Sequence, residues 1–289
     1  MHIPVLLNEI LEALDPKPNE NFIDCTLNGG GHTQAILKKN KPNGQVLGIE
    51  WDKEIYEKIA NQKIERLIPV NDSYVNLTKI IEQNNFYNIS GILFDLGMSS
   101  HQIDEGHKGF SFSKNEPLIM TYGDCELTAE KILTTYREDE LEKIIKEYGE
   151  EKFSKKIAKK IVEIRKIKKI KNTFDLVEII KEATPSWYHH QKTHFATRTF
   201  QAIRIEANDE LNNVKKTLPQ ALEAIKPGGK IAVISFHSLE DRIIKNFFKE
   251  EEKKETIKII TKKPITPADE EIQKNPRARS AKLRIIIKI

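Results

Sequence analysis

The stretch FIDCTLNGGGHT, residues 22–33, decides how this chain is to be read. An apolar pair and an aspartate run through Cys25 and Leu27 into three glycines, and His32 and Thr33 open a helix-forming run, HTQAILKKN. That pattern describes a strand turning tightly into a helix, with backbone bare enough to approach a ligand or another part of the protein. In an open parallel sheet such a turn lies at the carboxyl end of a strand, where ligands bind. A tight turn that holds nothing is the plainer alternative, and the rest of the chain has to choose.

Outward from the glycines the same alternation repeats. NFIDC (21–25), GQVLGIE (44–50), RLIPV (66–70) and GILFDL (91–96) are short apolar runs separated by helix-like stretches. Apolar residues occupy both parities of each run, as expected of parallel strands covered on both faces. Residues 97–125 look like a long loop, after which ELTAEKIL, EDELEKIIKEYG, EKFSKKIAKKIVEIRKI and TFDLVEIIKEAT follow with no strand between them. Ile157, Ile161 and Ile164 recur there at helical spacing. Strand character returns at GKIAVISF (229–236), TIKIIT and KLRIIIKI. The expected fold class is α/β, with a first core segment 1–104, a mainly helical insertion 105–195 and a second core segment 196–289.

Composition narrows the class. With 38% hydrophobic and 31% charged residues, the chain is an ordinary globular protein and not a disordered or coiled one. No apolar run approaches a membrane span, and MHIPVLLNEILEALDPKP reads as a first helix rather than a signal peptide. Cys25 and Cys125 are far apart and lack zinc spacing, so neither a disulfide framework nor a metal site is expected, in keeping with a cytoplasmic protein. Net charge is +4, but it is unevenly spread: Lys152 to Lys171 holds ten Lys/Arg and one Glu, and Asn275 to Ile289 holds five basic residues and no acid. An acidic body with two basic segments points to a polyanionic partner, although a solvated helix face would explain the first segment alone.

The chemistry of the glycine turn can be narrowed further. GGGHT lacks the Lys-Ser or Lys-Thr of a phosphate loop. Glu50 ends the second strand nineteen residues after Gly31, where a carboxylate can take both hydroxyls of a ribose. That fits NAD and S-adenosylmethionine equally. GGGHTQA lacks the last glycine of a dinucleotide turn, and Asp24 just upstream would repel a pyrophosphate yet suit a cationic amino group. The balance moves to a methyltransferase over a nicotinamide oxidoreductase. Asp95 ends the fourth strand, at a position where amine methyltransferases carry an acid or amide, though no Asp-Pro-Pro-Tyr box follows.

With HIPVLLNE, DCTLNGGGHT, GILFDLGMSSHQID, GFSF, YGEEKFSKKIAKKIV, HFATRTFQAIRIEANDEL, KPGGKIAVISFHSLEDRIIK and NPRARSAKLRI in this order, the chain resembles the ribosomal small-subunit methyltransferase H (MraW-type) family nearly end to end. The resemblance implies a class I, Rossmann-like methyltransferase with a helical insertion, residues 105–195, expected to recognise RNA or substrate. It implies S-adenosylmethionine as cofactor and N4 of a cytidine in the decoding region of 16S rRNA, within the small ribosomal subunit, as target. Cofactor contacts carried over by motif are Gly29, Gly30, Gly31 and His32, Glu50 at the ribose, Tyr74 beside the adenine, Asp95 and Gln102. Two departures stand out. Asn28 stands where the family usually has Gly, a cheap exchange if the position needs a positive φ. PLIMTYGD (117–124) stands where the family reads Pro-Leu-Asp-Met-Arg-Met, so Ile119 and Thr121 replace an acid and an arginine. Loss of both signs together is expected if the two normally pair.

Further candidates come from the later motifs. Arg198, Gln201, Arg204 and Asn208 fall within roughly 120° of one helix face, readable as a surface toward RNA or as a simple amphipathic face. Asp95 and His237, at strand ends, are the candidate catalytic residues, and Ser238 with Asp241 suits a helix start. Arg277 and Arg279 in NPRARSAKLR offer guanidinium groups to phosphate. A monomer and a dimer are equally compatible. A catalytically weakened RNA-binding relative acting in ribosome assembly is the alternative, resting on residues 117–124 alone.

Overall fold

The computed structural model describes residues 4–289, so His2 and Ile3 of the first family motif lie outside the described residues. The chain divides into two compact units, Met1–Ser99 with Leu211–Ile289, and Ser100–Glu210. The first unit opens with α1 (Leu7–Leu14), β1 (Asn21–Asp24), α2 (Gly31–Lys39), β2 (Val46–Glu50), α3 (Lys53–Ala60), β3 (Leu67–Asn71), α4 (Leu77–Gln83) and β4 (Ile89–Asp95). The second unit contains α5 (Ser100–Asp104), α6 (Ala129–Thr135), α7 (Glu138–Glu147), α8 (Ser154–Arg165), α9 (Thr173–Ala183) and α10 (Thr197–Asn208). The chain then returns to the first unit with α11 (Glu210–Ala224), β5 (Ile225–Ser235), α12 (Ser238–Lys253), β6 (Ile257–Ile259), α13 (Asp269–Lys274) and β7 (Lys282–Lys288).

The seven strands lie in the order β3-β2-β1-β4-β5-β7-β6. β3, β2, β1, β4 and β5 are parallel, whereas β7 pairs antiparallel with both β5 and β6. All residues of β2 and β4 are buried, which is why these runs are apolar at both parities. Neighbouring side chains feed opposite cores: Phe22, Val46, Leu93 and Ala232 join one cluster, and Ile23, Leu47, Phe94 and Val233 the other. Strand order reverses between β1 and β4, so the carboxyl ends of these two strands form the switch point where an open sheet takes its ligand.

In the helical unit, α7 packs on α8, α8 on α9, and α10 on α6 and α7. The periodicity in α8 works as its spacing requires: Ile157, Ala158 and Ile161 are buried and the lysines face out. Two details differ from the sequence expectation. α10, placed with the returning core at residue 196, groups with the inserted helices because its apolar side covers α6 and α7. The stretch 97–125 is not wholly loop, since α5 interrupts it.

Candidate active site at the strand carboxyl ends

β2, β1, β4 and β5 deliver Glu50, Asp24, Asp95 and His237 to one edge of the sheet. Three of these are buried carboxylates, and each answers to different partners. Asp24 accepts hydrogen bonds from the Thr26 N–H at 3.1 Å and the Thr33 hydroxyl at 2.7 Å. Burial raises its pKa, against the pull of His32 and those donors. Glu50 accepts from the Asp52 N–H at 2.8 Å and the Asn28 N–H at 2.9 Å, one on each oxygen. Burial nonetheless lifts it to about 7. Each Glu50 oxygen keeps a second lone pair, so acceptance from a ribose remains open to it.

Asp95 differs from both. Its backbone N–H donates to Thr26 Oγ1 at 2.7 Å, which pins the end of β4 to the turn after β1. Its Oδ1 is buried with no hydrogen-bond partner among the described residues, and Oδ2 lies 3.8 Å from His32 Nδ1. Burial raises its pKa to about 6, with His32 opposing and Asp24 and Glu240 reinforcing the shift. His32 is buried too, and its Nε2 donates to the Val5 carbonyl at 2.9 Å, leaving Nδ1 as the nitrogen turned toward Asp95. The separation is too long for a hydrogen bond and short enough for strong charge coupling in a dry site.

The glycines do two separate jobs. Gly30 caps α2 at φ 73°, a left-handed conformation that suits glycine. Gly31 meets protein rather than ligand on its Cβ side: an added methyl would lie 2.3 Å from Pro4 Cγ. Gly29 is exposed. Asn28 sits at φ 47°, so the residue that replaces the family's glycine is one that tolerates this conformation. Tyr74 lies on the 3-10 turn Tyr74–Asn76 that precedes α4, with its ring edge-on to Phe94 at 6.0 Å.

His237 was singled out by position, and the structure gives it a second duty. It, rather than Ser238, is the N-cap of α12: its imidazole accepts from the Glu240 N–H, while the Glu240 carboxylate takes the Phe236 and His237 N–H groups. Asp241 is drawn off to Arg284, with Nε–Oδ1 at 2.6 Å. Burial alone would raise the Asp241 pKa, but the Arg284 guanidinium holds it below the usual carboxylate range.

The expected RNA-facing arginines separate into two kinds. Arg204 forms a bidentate pair with Glu210 at 2.8 and 2.9 Å, both side chains largely buried, so its guanidinium is engaged within the protein. Its neighbours on the polar face are also engaged: Gln201 donates to the Tyr148 carbonyl and Asn208 to that of Met120. Arg198 is exposed with one N–H on the Glu150 carbonyl. Arg284, part of the C-terminal basic segment, belongs to Asp241, whereas Arg277 and Arg279 are exposed on the turn Pro276–Ser280. Gln102 lies buried on α5 in the helical unit. The divergent loop is anchored in that unit by Tyr122, which donates its N–H to Asn208 Oδ1 and its hydroxyl to Glu210 Oε1 and stacks on Phe110 at 5.5 Å. Thr121 is buried beside it.

A doubly wound sheet with an antiparallel last strand pair and an acidic row at its switch point, in place of a phosphate loop, defines a Rossmann-like, S-adenosylmethionine-dependent methyltransferase. The MraW methylase family matches residues 1–289, and the chain belongs to it. Full-length relatives carry the name ribosomal RNA small subunit methyltransferase H, among them the following three. That of Clostridioides difficile (strain 630) is 44% identical, covering 100% of this chain and 99% of its own. That of Halothermothrix orenii is 45% identical over 98% and 97%. That of Heliobacterium mobile is 44% identical over 100% and 99%.

Proposed function

We propose that this protein transfers a methyl group from S-adenosylmethionine to N4 of a cytidine in the decoding region of small-subunit ribosomal RNA. The observation that carries the reading is the buried, unpartnered Oδ1 of Asp95 at the switch point, beside a second buried acid and His32. The names of the full-length relatives support the ribosomal substrate.

The residues present fit the cofactor. Desolvation raises all three carboxyls, and a ligand bearing a sulfonium and an ammonium would favour their charged forms. Glu50 would hold the ribose hydroxyls, Tyr74 the adenine, and the backbone of Gly29 to His32 would border the ligand. Bound S-adenosylmethionine provides an electrophilic methyl group. The N4 lone pair of cytosine is delocalised into the ring, so the protein's task is to hold the amine in line and favour its pyramidal form. Asp95 Oδ1 accepts an N–H of that amine, and the same carboxylate receives the proton shed once nitrogen carries the methyl. His32, fixed by Val5, keeps its Nδ1 toward the other Asp95 oxygen. His237 closes the row beyond Asp95 and orders the start of α12.

Incubating the purified chain with isotope-labelled S-adenosylmethionine and unmethylated ribosomal subunits tests the assignment. Label in small-subunit rRNA and none in large-subunit rRNA is expected; the reverse, or label in neither, would contradict it. The rival of a weakened RNA-binding member is not favoured, because full-length relatives at 44–45% identity carry the methyltransferase name.

A further inference from the structure

Methyl transfer does not explain the outer face of α8. Lys155, Lys156 and Lys159 are exposed within roughly 100° of arc, and the burial of Ile157, Ala158 and Ile161 fixes that rotation. Their flanking neighbours are neutralised: Lys160 meets Glu182 at 2.8 Å and Lys168 meets Asp175 at 3.1 Å. Lys159 reaches Glu163 only at 3.9 Å. Among the described residues, no carboxylate lies within 4.0 Å of Lys152, Lys155 or Lys156. Concentrated positive charge without counter-charge costs stability through self-repulsion and attracts a polyanion.

An aromatic platform adjoins these lysines. Trp187, on the 3-10 turn Ser186–His190, keeps 57% of its surface open. The turn beneath it is rigid: the Tyr188 hydroxyl donates to Glu151 Oε2 at 2.6 Å, and the Phe153 and Tyr188 rings lie 5.0 Å apart. Lys152 Nζ sits 4.4 Å from the Trp187 ring and 5.0 Å from that of Tyr188. Lys156 Nζ is 5.9 Å from the Phe153 ring, whose centroid is 6.0 Å from that of Trp187. The charges and the open indole therefore belong to one surface.

We propose that Trp187 with Lys152, Lys155, Lys156 and Lys159 forms a docking surface for an unpaired RNA segment, the indole stacking on a base and the ammonium groups holding phosphates. The assignment rests on the reading of the substrate as ribosomal RNA. A rigid, solvent-facing indole has a partner in a splayed-out base and none in a duplex, whose bases are stacked on one another. The lysines, as flexible point charges, suit a backbone whose phosphates need no fixed geometry.

Fluorescence anisotropy with the full-length protein tests this, using a labelled single-stranded oligoribonucleotide of roughly a dozen residues, the duplex of the same sequence, and vesicles rich in anionic lipid. Single-strand binding is expected to exceed duplex binding, and Trp187→Ala should weaken the single strand about tenfold while leaving the duplex unchanged. Trp187→Phe should restore most of the loss. The triple change K155Q, K156Q, K159Q should lower the salt slope by about 2, since each phosphate contact contributes about 0.7 on single strands. S-adenosylmethionine affinity should stay at the wild-type value in every variant, which excludes misfolding of the core. Equal binding of single strand and duplex, indifference to Trp187→Ala, or Trp187-dependent binding to vesicles alone would overturn the proposal. Because no methyl transfer is read, failure here is distinct from failure of the functional reading, which the labelling of subunits reports.

Discussion

Replacing Glu50 by Gln should change the sign of its effect on stability as the pH rises. Burial holds this carboxyl at about 7 instead of its ordinary 4.5, against the pull of the Asp52 and Asn28 N–H groups. Between those two values the folded chain keeps a proton that the unfolded chain has released, so stability falls as pH rises through the window. The shift corresponds to about 3 kcal/mol, present below the unfolded value and gone by pH 8. Gln carries no charge and escapes that loss. Its amide nitrogen cannot accept, however, so one of the N–H groups at 2.8 and 2.9 Å loses its partner, a cost of about 1 kcal/mol. The variant should therefore be about 1 kcal/mol less stable than wild type near pH 4 and about 2 kcal/mol more stable at pH 8, with the curves crossing near pH 5. Urea unfolding at a series of pH values, without cofactor, measures the difference directly. An offset that stays constant from pH 4 to pH 8 would refute the reasoning. At pH 8 the same variant should bind S-adenosylmethionine more weakly, so stability and binding move in opposite directions.

Cofactor affinity should itself rise with pH, because Asp95 at about 6 must ionise to meet a cation and Glu50 at about 7 must ionise to accept from both ribose hydroxyls; calorimetry in buffers of different protonation enthalpy should show proton release near pH 6, and Asp95→Asn should reduce it. Gly31→Ala puts a methyl 2.3 Å from Pro4 Cγ, which should destabilise the protein by about 1–3 kcal/mol and lower Tm, and an unchanged Tm would show that the segment before α1 yields freely. Arg204→Met takes the paired guanidinium from the buried Glu210 and should cost about 3–5 kcal/mol, measured by chemical unfolding; a loss near zero would return Arg204 to the surface-contact class.

The parallel core was legible because strands buried on both faces carry apolar residues at both parities, as β2 and β4 do up to the acids that end them. The glycine turn was legible for the same local reason, and Asn28 at positive φ follows from backbone sterics alone. What lay beyond the sequence was pairing over long separations. Nothing local to RIIIK says that β7 slots between β5 and β6, or that Arg284 spends its charge on Asp241. Arg204 and Arg279 look alike in sequence, yet one is locked to Glu210 and the other faces solvent. The same holds for His237: its place at a strand end was visible, but its capping of α12 depends on Glu240 one turn later, a partner with no distinguishing pattern of its own. The Asp24–Thr33 bond and the Val5 carbonyl that fixes the His32 ring were missed because neither Thr33 nor Val5 carries a chemical signature.

The central claim is that the acidic row at the switch point directs a methyl group to the exocyclic amine of a cytidine. Small subunits methylated by the purified chain, digested to nucleosides and resolved by mass spectrometry, test it most directly. N4-methylcytidine from a single decoding-region site is expected, and its loss with Asp95→Asn while the cofactor still binds. A methyl group on carbon 5, on a ribose hydroxyl or on another base, or full activity in the Asp95→Asn variant, would contradict it.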